Sequence, residues 1–101
     1  MTGHSFEVRG NCLLVSGDFS RDDDVGFDDA CQKLLAGPDR ELVADLAGTS
    51  RMSSTYVGLL AEACLTAQGR GRKVTIRARK RLAATLREAG LGAAATIEEV
   101  G

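Results

Sequence analysis

The second half of the chain alternates short apolar runs with segments of helical periodicity, and this alternation limits the fold more than any other feature. The runs 40–48 and 72–78 are rich in Leu, Val and Ile, whereas 54–71 and 79–92 place apolar residues on helical faces. A last short run, 95–100, ends the series. Strands that alternate with helices form largely parallel sheets with right-handed crossovers. We therefore predict an α/β fold.

The segment 6–17 predicts a β-hairpin at the start of the chain. Phe6 and Val8 alternate with polar residues, which is the period of a half-buried strand, and an apolar run follows the turn. The turn residues Gly10 and Asn11 both tolerate a positive φ. This hairpin adds an antiparallel strand to the sheet.

The segment 20–37 predicts the first helix, because its apolar residues recur at helical spacing. Ser20 or Asp22 is the expected N-cap, and Gly37-Pro38 is the expected stop. The predicted order is therefore β-β-α-β-α-β-α-β. It gives a mixed, mostly parallel sheet of roughly four to five strands with helices packed against it.

The composition fits a single folded domain over 1–101. The chain has 101 residues, 44% of them hydrophobic, which is enough for one core. Aromatic residues make up 4% and tryptophan is absent, so we expect the core to consist of Leu, Val, Ile and Ala. Cys12, Cys31 and Cys64 are scattered among apolar residues, which predicts reduced, buried thiols rather than disulfides.

Charge and hydropathy predict a cytoplasmic protein. The net charge is -1, so no overall field favours nucleic acid or a membrane surface. The N-terminus lacks the apolar segment of a signal peptide, and no run approaches the ~18 apolar residues that cross a bilayer. We therefore expect a soluble monomer with no membrane partner.

No residue pattern predicts catalysis. The one histidine, His4, lies close to the N-terminus, and no G-x-S-x-G, Walker A or G-x-G-x-x-G motif is present. No spacing of His, Cys and Asp is typical of a metal site. We predict that the protein is not an enzyme and requires neither a metal nor another cofactor.

A nucleic-acid-binding module is a less favoured alternative. The segment 70–81 is a basic rim whose cations would contact phosphates: Arg70, Arg72, Lys73, Arg77, Arg79, Lys80 and Arg81. It has no interleaved aromatic residues on which bases would stack. We therefore interpret the segment as a solvated rim around a strand and expect no nucleic-acid partner.

Three adjacent hydroxyl residues, Ser53, Ser54 and Thr55, stand where the third predicted strand passes into the second helix. Ligands of open α/β sheets bind beyond the carboxyl ends of the strands, and helix N-termini favour anions. A hydroxyl can also receive a phosphoryl group, which adds roughly 1.5 to 2 negative charges. N-capping explains one of these hydroxyls, and three in a row exceed what capping needs.

The helix predicted over 54–71 is mostly buried but shows one narrow face of small or polar residues. At about 100° per residue, this face contains Thr55, Gly58, Glu62, Thr66 and Gly69, with Leu59 at its edge. The remaining surface is apolar: Val57, Leu60, Ala61, Ala63, Cys64 and Leu65. Gly58 costs about 1 kcal/mol of helix stability relative to alanine. Its lack of a side chain leaves room either for another protein or for a loop of the same chain.

These segments resemble a known family. The run LVADLAGTSRMSSTYVGLL, the helix after it, and the runs GRKVTIRA and LAATLREAGL are similar to the STAS domain. Upstream, LLVSGDFS resembles the second strand of that domain and the turn after it. The resemblance extends from Phe6 to Val100 and is strongest to the single-domain anti-sigma factor antagonists of bacteria. It implies a STAS-like fold.

In that family the strand ends in D-S-[ST]-G, and the serine after the aspartate is phosphorylated. The register that aligns Gly58 with the family's second glycine places Ser54 at the phosphoacceptor position. Ser53 then takes the aspartate position and Tyr56 the glycine position, and both depart from the motif. The resemblance therefore implies phosphorylation at Ser54, with Ser53 and Thr55 as alternatives.

The resemblance implies a protein–protein switch that regulates transcription. The unphosphorylated domain would bind an anti-sigma factor, usually a serine kinase with a histidine-kinase-like ATPase fold, and so release a sigma factor. The kinase would phosphorylate Ser54, and a serine phosphatase would reverse the reaction. The expected partner-binding residues are Ser20, Ser53, Ser54, Thr55, Gly58, Leu59 and Glu62. The alternative is a scaffold or sensor subunit of a signalling complex that is not phosphorylated.

Overall fold

The computed structural model of the chain describes residues 4–19 and 26–101. The elements are β1 (His4–Arg9), β2 (Cys12–Phe19), α1 (Phe27–Ala36), β3 (Glu41–Met52), α2 (Ser54–Gly69), β4 (Lys73–Ala78), α3 (Lys80–Glu88) and β5 (Thr96–Glu99). A 3-10 turn, Leu91–Ala93, lies between α3 and β5. Over these residues the predicted order of strands and helices is confirmed.

The strands form one sheet in the order β1-β2-β3-β4-β5. The pair β1 and β2 is antiparallel, and every other neighbouring pair is parallel. The hairpin turn begins at Gly10, whose φ of 58° is a left-handed conformation that glycine adopts without strain. Arg9 stands opposite Cys12 across this turn. The mixed, mostly parallel α/β sheet predicted from the sequence is therefore confirmed.

The helices cover one face of the sheet, and the other face is open. On β3 the alternate residues Leu42, Ala44 and Leu46 are buried, while the residues between them are only partly buried. The neighbouring strand repeats this pattern with Val74, Ile76 and Ala78. Because side chains alternate between the two faces of a strand, a single face carries the core.

Aromatic residues contribute more to the core than their number predicts. All four of them, Phe6, Phe19, Phe27 and Tyr56, form one cluster with contacting ring centroids 5.1 to 6.2 Å apart. Each ring comes from a different element, so no local sequence pattern indicates the cluster. The expectation of a purely aliphatic core is therefore wrong at the end of the core where α2 begins.

The first helix begins later than predicted. Its N-cap is Gly26, and the predicted caps Ser20 and Asp22 lie outside the described residues. The helix starts where its apolar stripe starts, since the buried residues are Phe27, Ala30, Cys31, Leu34 and Leu35. It ends at Ala36, directly before the predicted Gly37-Pro38 stop.

The third strand is longer than the predicted run 40–48, because its second half pairs with the end of β2. Gly48 stands opposite Ser16, where a Cβ atom on residue 48 would lie 2.9 Å from the Ser16 Cβ. Thr49 is buried, and its hydroxyl donates a hydrogen bond of 3.0 Å to the Val15 carbonyl oxygen. This extension carries β3 directly to the hydroxyl residues.

The cysteines are free, as predicted, but they are not equally buried. Cys31 and Cys64 lie in the core between α1 and α2. Cys12 is only half-buried, because it belongs to the open face of the sheet. The expectation that every thiol is buried is therefore wrong for Cys12.

Candidate functional site

The junction between β3 and α2 is fixed by backbone hydrogen bonds at Ser53. Its N–H donates to the Phe19 carbonyl oxygen at 2.8 Å, and its carbonyl oxygen accepts from the Val57 N–H at 3.0 Å. Ser53 has an extended backbone and is the N-cap residue of α2, although its side chain forms no capping hydrogen bond. The residue is half-buried. The end of β3 and the start of α2 are thus held to β2.

The next two hydroxyl residues, Ser54 and Thr55, are exposed at the first and second positions of α2. The first turn of this helix contains no acidic residue. The N–H groups in the first turn of an α-helix have no partner within the helix, and the helix dipole is positive there. An anionic group attached to Ser54 would therefore meet a favourable local field.

Tyr56 occupies the position where the resembling family has glycine, and its ring points into the core. The side chain is 1% exposed and packs edge-on against Phe19 at 5.1 Å and Phe27 at 5.3 Å between ring centroids. The tyrosine therefore does not enlarge the outer surface of α2. It ties the start of the helix to the aromatic cluster and leaves Ser54 and Thr55 facing outwards.

The exposed face of α2 agrees with the predicted one, with one exception. Thr55, Gly58, Glu62, Thr66 and Gly69 are exposed, and Leu59 at the edge is half-buried. Leu65, predicted to belong to the apolar buried surface, is 58% exposed. The prediction for Leu65 is wrong because its angular position, about 20° from Ser54 around the helix axis, lies on the outer line of the helix.

Gly58 faces open space. A Cβ atom built on this residue would meet no atom of the chain within 4 Å. Close packing against a loop of the same chain, one of the two explanations for a glycine here, is therefore excluded for the described residues. The other explanation, room for a second protein, stays a prediction.

A groove of about 60 Å³ runs between α1 and α2 beside this face. It is lined by Asp28, Cys31, Gln32, Leu59, Glu62, Ala63 and Thr66. Within 4–19 and 26–101, neither Asp28 nor Glu62 takes part in an ion pair. The groove beside the exposed face of α2 therefore carries two carboxylates that have no ion-pair partner among the described residues.

The thiols beneath this groove are protonated at neutral pH. Burial above all, with the negative charge of Asp28 and the neighbouring Cys64, raises the pKa of Cys31 from 9.0 to about 12. Burial likewise raises the pKa of Cys64 to about 11. Since the thiolate is the nucleophile, both residues serve as small apolar groups in the core.

The basic rim does not form a continuous surface. Arg72 donates hydrogen bonds to three backbone carbonyl oxygens at and after the end of α1. Their acceptors are Leu35 at 2.5 Å, Gly37 at 2.7 Å and Asp39 at 2.8 Å. On the open face of the sheet, Arg77 contacts Asp45 and Glu98, each at 3.3 Å.

The remaining cations of the rim stand at the two ends of β4. Arg70 and Lys73 lie at its start, and Arg79, Lys80 and Arg81 follow its end. A strand of 6 residues, about 20 Å long, separates the two groups. Over the described residues, these cations therefore form two separate groups rather than one run along β4.

Outside the exposed face of α2, no further predicted site residues lie together in the described part of the chain. Ser20 lies outside these residues. A groove of about 420 Å³ lies on the open face of the sheet and includes Glu7, Leu14 and Asp45 but none of the predicted site residues. No cluster of potential metal ligands was found over 4–19 and 26–101. In the same ranges, no helix has the length and apolar character needed to span a membrane.

Comparison with known proteins gives one family. The family model described as "Mlab, STAS domain" matches residues 4–98. No curated protein matches the chain. The matched range begins with β1, contains the hydroxyl residues and α2, and reaches into β5. The chain belongs to the STAS domain family.

Proposed function

We propose that the protein is an anti-sigma factor antagonist of the bacterial cytoplasm. It binds an anti-sigma factor through the exposed face of α2 and thereby releases a sigma factor. The observation that carries this proposal is the exposure of Ser54 at the first position of α2, beside the bare surface at Gly58. STAS domains generally act through protein–protein contacts, which supports a binding function.

Phosphorylation of Ser54 by the anti-sigma factor would reverse this binding. The Ser54 hydroxyl oxygen attacks the γ-phosphorus of ATP, and the bond between that phosphorus and the bridging oxygen of ADP breaks. The hydroxyl proton passes to a base of the kinase. Hydrolysis by a phosphatase returns the serine and inorganic phosphate.

The charge added at Ser54 would act on the interface rather than on the fold. The start of α2 favours an anion, and its first turn holds no acidic residue that would repel one. A partner surface that fits the neutral Ser54 hydroxyl next to Gly58 would lose its contacts with α2 when Ser54 carries a bulky phosphate dianion. Desolvation of that dianion and repulsion by nearby carboxylates would oppose binding.

A second candidate function is a scaffold or sensor subunit that is not phosphorylated. Ser53 favours it, because this residue stands where the phosphorylated relatives that the chain resembles have an aspartate. The two candidates use the same face of α2. They differ in whether a charge at Ser54 controls binding.

A binding comparison of Ser54 variants tests the proposal. The tagged chain recovers its partner from the native cells, and the partner is then purified and titrated with wild type, Ser54→Ala and Ser54→Asp by calorimetry. We expect a histidine-kinase-like ATPase that binds Ser54→Ala like wild type and Ser54→Asp at least tenfold more weakly. Thr85→Asp, which adds the same charge on the exposed surface of α3, is the control and should bind normally.

Three results would contradict parts of this proposal. Equal affinity of Ser54→Asp and wild type removes the switch and favours the scaffold. Phosphate mapped by mass spectrometry to Ser53 or Thr55, after incubation with the partner and Mg-ATP, shows that the register is wrong. A partner unrelated to anti-sigma factors removes the antagonist function.

A further inference from the structure

Leu65 is the one large apolar side chain that is exposed among the described residues. An isolated exposed leucine is common on protein surfaces and by itself indicates nothing. Its position is informative here, because it lies on the same helix face as Ser54 and Gly58. This inference rests on the proposed function and concerns what the partner presents to α2.

The geometry of α2 places the three residues almost in line. At about 100° per residue, Gly58 lies about 40° and Leu65 about 20° from Ser54 around the axis. At a rise of about 1.5 Å per residue, Leu65 is about 16 Å from Ser54 along the axis. An interface of about 800 Å² per partner covers both residues. Any partner that contacts both must cross Gly58, where no side chain obstructs close approach.

Charge identifies the chemistry of the partner next to this line. Glu62 is exposed beside Leu65 and shares the groove between α1 and α2 with Asp28. Neither carboxylate is neutralised by an ion pair with another described residue. A lysine or arginine side chain of the partner complements this groove, and its presence would accelerate association at low salt.

We infer that Leu65 is the apolar anchor of the partner-binding face, and that the anti-sigma factor covers it with an aliphatic or aromatic side chain while placing a lysine or arginine at Glu62 and Asp28. Affinity then comes mainly from the Leu65 end of the face. Control by phosphate comes from the Ser54 end. The two ends have separable roles because about three turns of helix lie between them.

The test uses the purified anti-sigma factor of the preceding experiment. Leu65→Ala should weaken its binding about tenfold or more, because a few apolar side chains that the partner buries fully contribute most of the affinity of an interface. The melting temperature should remain close to that of wild type, since the side chain is already 58% exposed. Thr85→Ala on α3, also an exposed truncation, is the matched control and should bind normally.

A second variant addresses the charge. Glu62→Gln removes one carboxylate with almost no change in shape, and it should lower the association rate at low salt more than at high salt. Equal association rates of Glu62→Gln and wild type at low salt would remove the cationic contact from the inference. A loss of affinity that does not depend on salt would also contradict an electrostatic role.

The outcomes separate this inference from the proposed function. If Leu65→Ala binds like wild type while Ser54→Asp does not, the anchor is wrong and the switch stands. If Leu65→Ala binds weakly while Ser54→Asp binds like wild type, the anchor stands and the switch is wrong. If the native partner is not an anti-sigma factor, the inference falls together with the function on which it rests.

Discussion

The helices α2 and α3 begin in the same architectural setting but with opposite chemistry. Each follows a strand of the parallel part of the sheet, and each has an extended N-cap residue, Ser53 with ψ 164° and Arg79 with ψ 159°. Neither cap residue forms a side-chain capping hydrogen bond, and neither first turn contains an acidic residue. However, α2 continues with two hydroxyl residues, whereas α3 continues with Lys80 and Arg81.

This difference shows that backbone geometry alone does not make the site. The start of every helix is positive, so the cations of α3 oppose its dipole and reduce its stability. The hydroxyl residues of α2 leave that field unopposed and place exposed hydroxyl groups in it, where we propose phosphorylation. A phosphate on Ser54 would therefore improve the electrostatics of the isolated domain, so the switch that we propose would act through the partner surface.

The two helices also differ in what holds them to the core. The start of α2 is anchored by Tyr56 in the aromatic cluster. The shorter helix α3 buries only aliphatic side chains, namely Leu82, Ala83 and Leu86. The residue that anchors α2 is thus directly adjacent to the exposed Thr55, and a rigid core contact positions the hydroxyl face.

The largest effect should come from removing that anchor. Tyr56→Ala should lower the free energy of unfolding by about 3–5 kcal/mol, because it deletes a ring that is 1% exposed and contacts Phe19 and Phe27. Urea denaturation measures the change. Tyr56→Phe keeps the ring and should cost much less. A loss below about 1 kcal/mol in Tyr56→Ala would mean that the cluster does not anchor α2.

The second largest effect should come from high pH, which should weaken the packing between α1 and α2. Below pH 9 the thiols of Cys31 and Cys64 are protonated in both the folded and the unfolded chain. In that range they do not make the free energy of unfolding depend on pH. Above pH 9 the unfolded thiols ionise, whereas burial holds the folded pKa values at about 12 and about 11. Stability should therefore fall by about 1.4 kcal/mol per pH unit for each thiol.

Urea denaturation at pH 8, 9 and 10 measures this slope. The double variant Cys31→Ala and Cys64→Ala removes both titrating groups from the seam between α1 and α2. Its stability should fall less steeply with pH than that of wild type. Identical slopes would show that the buried thiols do not determine the alkaline limit. The α3 side contributes no such titration, since its buried residues are not ionisable.

The contrast between these helices also shows what the sequence could predict. The order of elements and the hydroxyl junction follow from periodicity and turn residues, which are local signals. Tyr56 could not be oriented from sequence, because Phe19 and Phe27 come from β2 and α1. The extension of β3 could not be predicted for a similar reason, since its second half is stabilised by pairing with β2 rather than by an apolar pattern of its own.

Leu65 shows a different limit. Its angular position is on the exposed side of α2, but leucine is typical of a buried position. A prediction from residue type therefore places it on the buried surface. Gly58 could be placed on the exposed face, yet only the surrounding atoms exclude a contact within the described chain. Periodicity thus identified the face, and the packing of the chain was needed to determine which residues on it are free.

The smallest changes in the free energy of unfolding should come from charge substitutions at the starts of α2 and α3. Lys80→Glu replaces a cation by an anion in the first turn of α3 and should raise the free energy of unfolding by about 0.5–1 kcal/mol. Ser54→Asp adds only an anion to a neutral start and should raise it by about 0.3–0.5 kcal/mol. Both gains should shrink in 1 M NaCl, since exposed charges are screened. Urea midpoints at low and high salt measure the differences. If Ser54→Asp lowers stability instead, the start of α2 does not favour an anion, and the separation between fold stability and partner binding at Ser54 is lost.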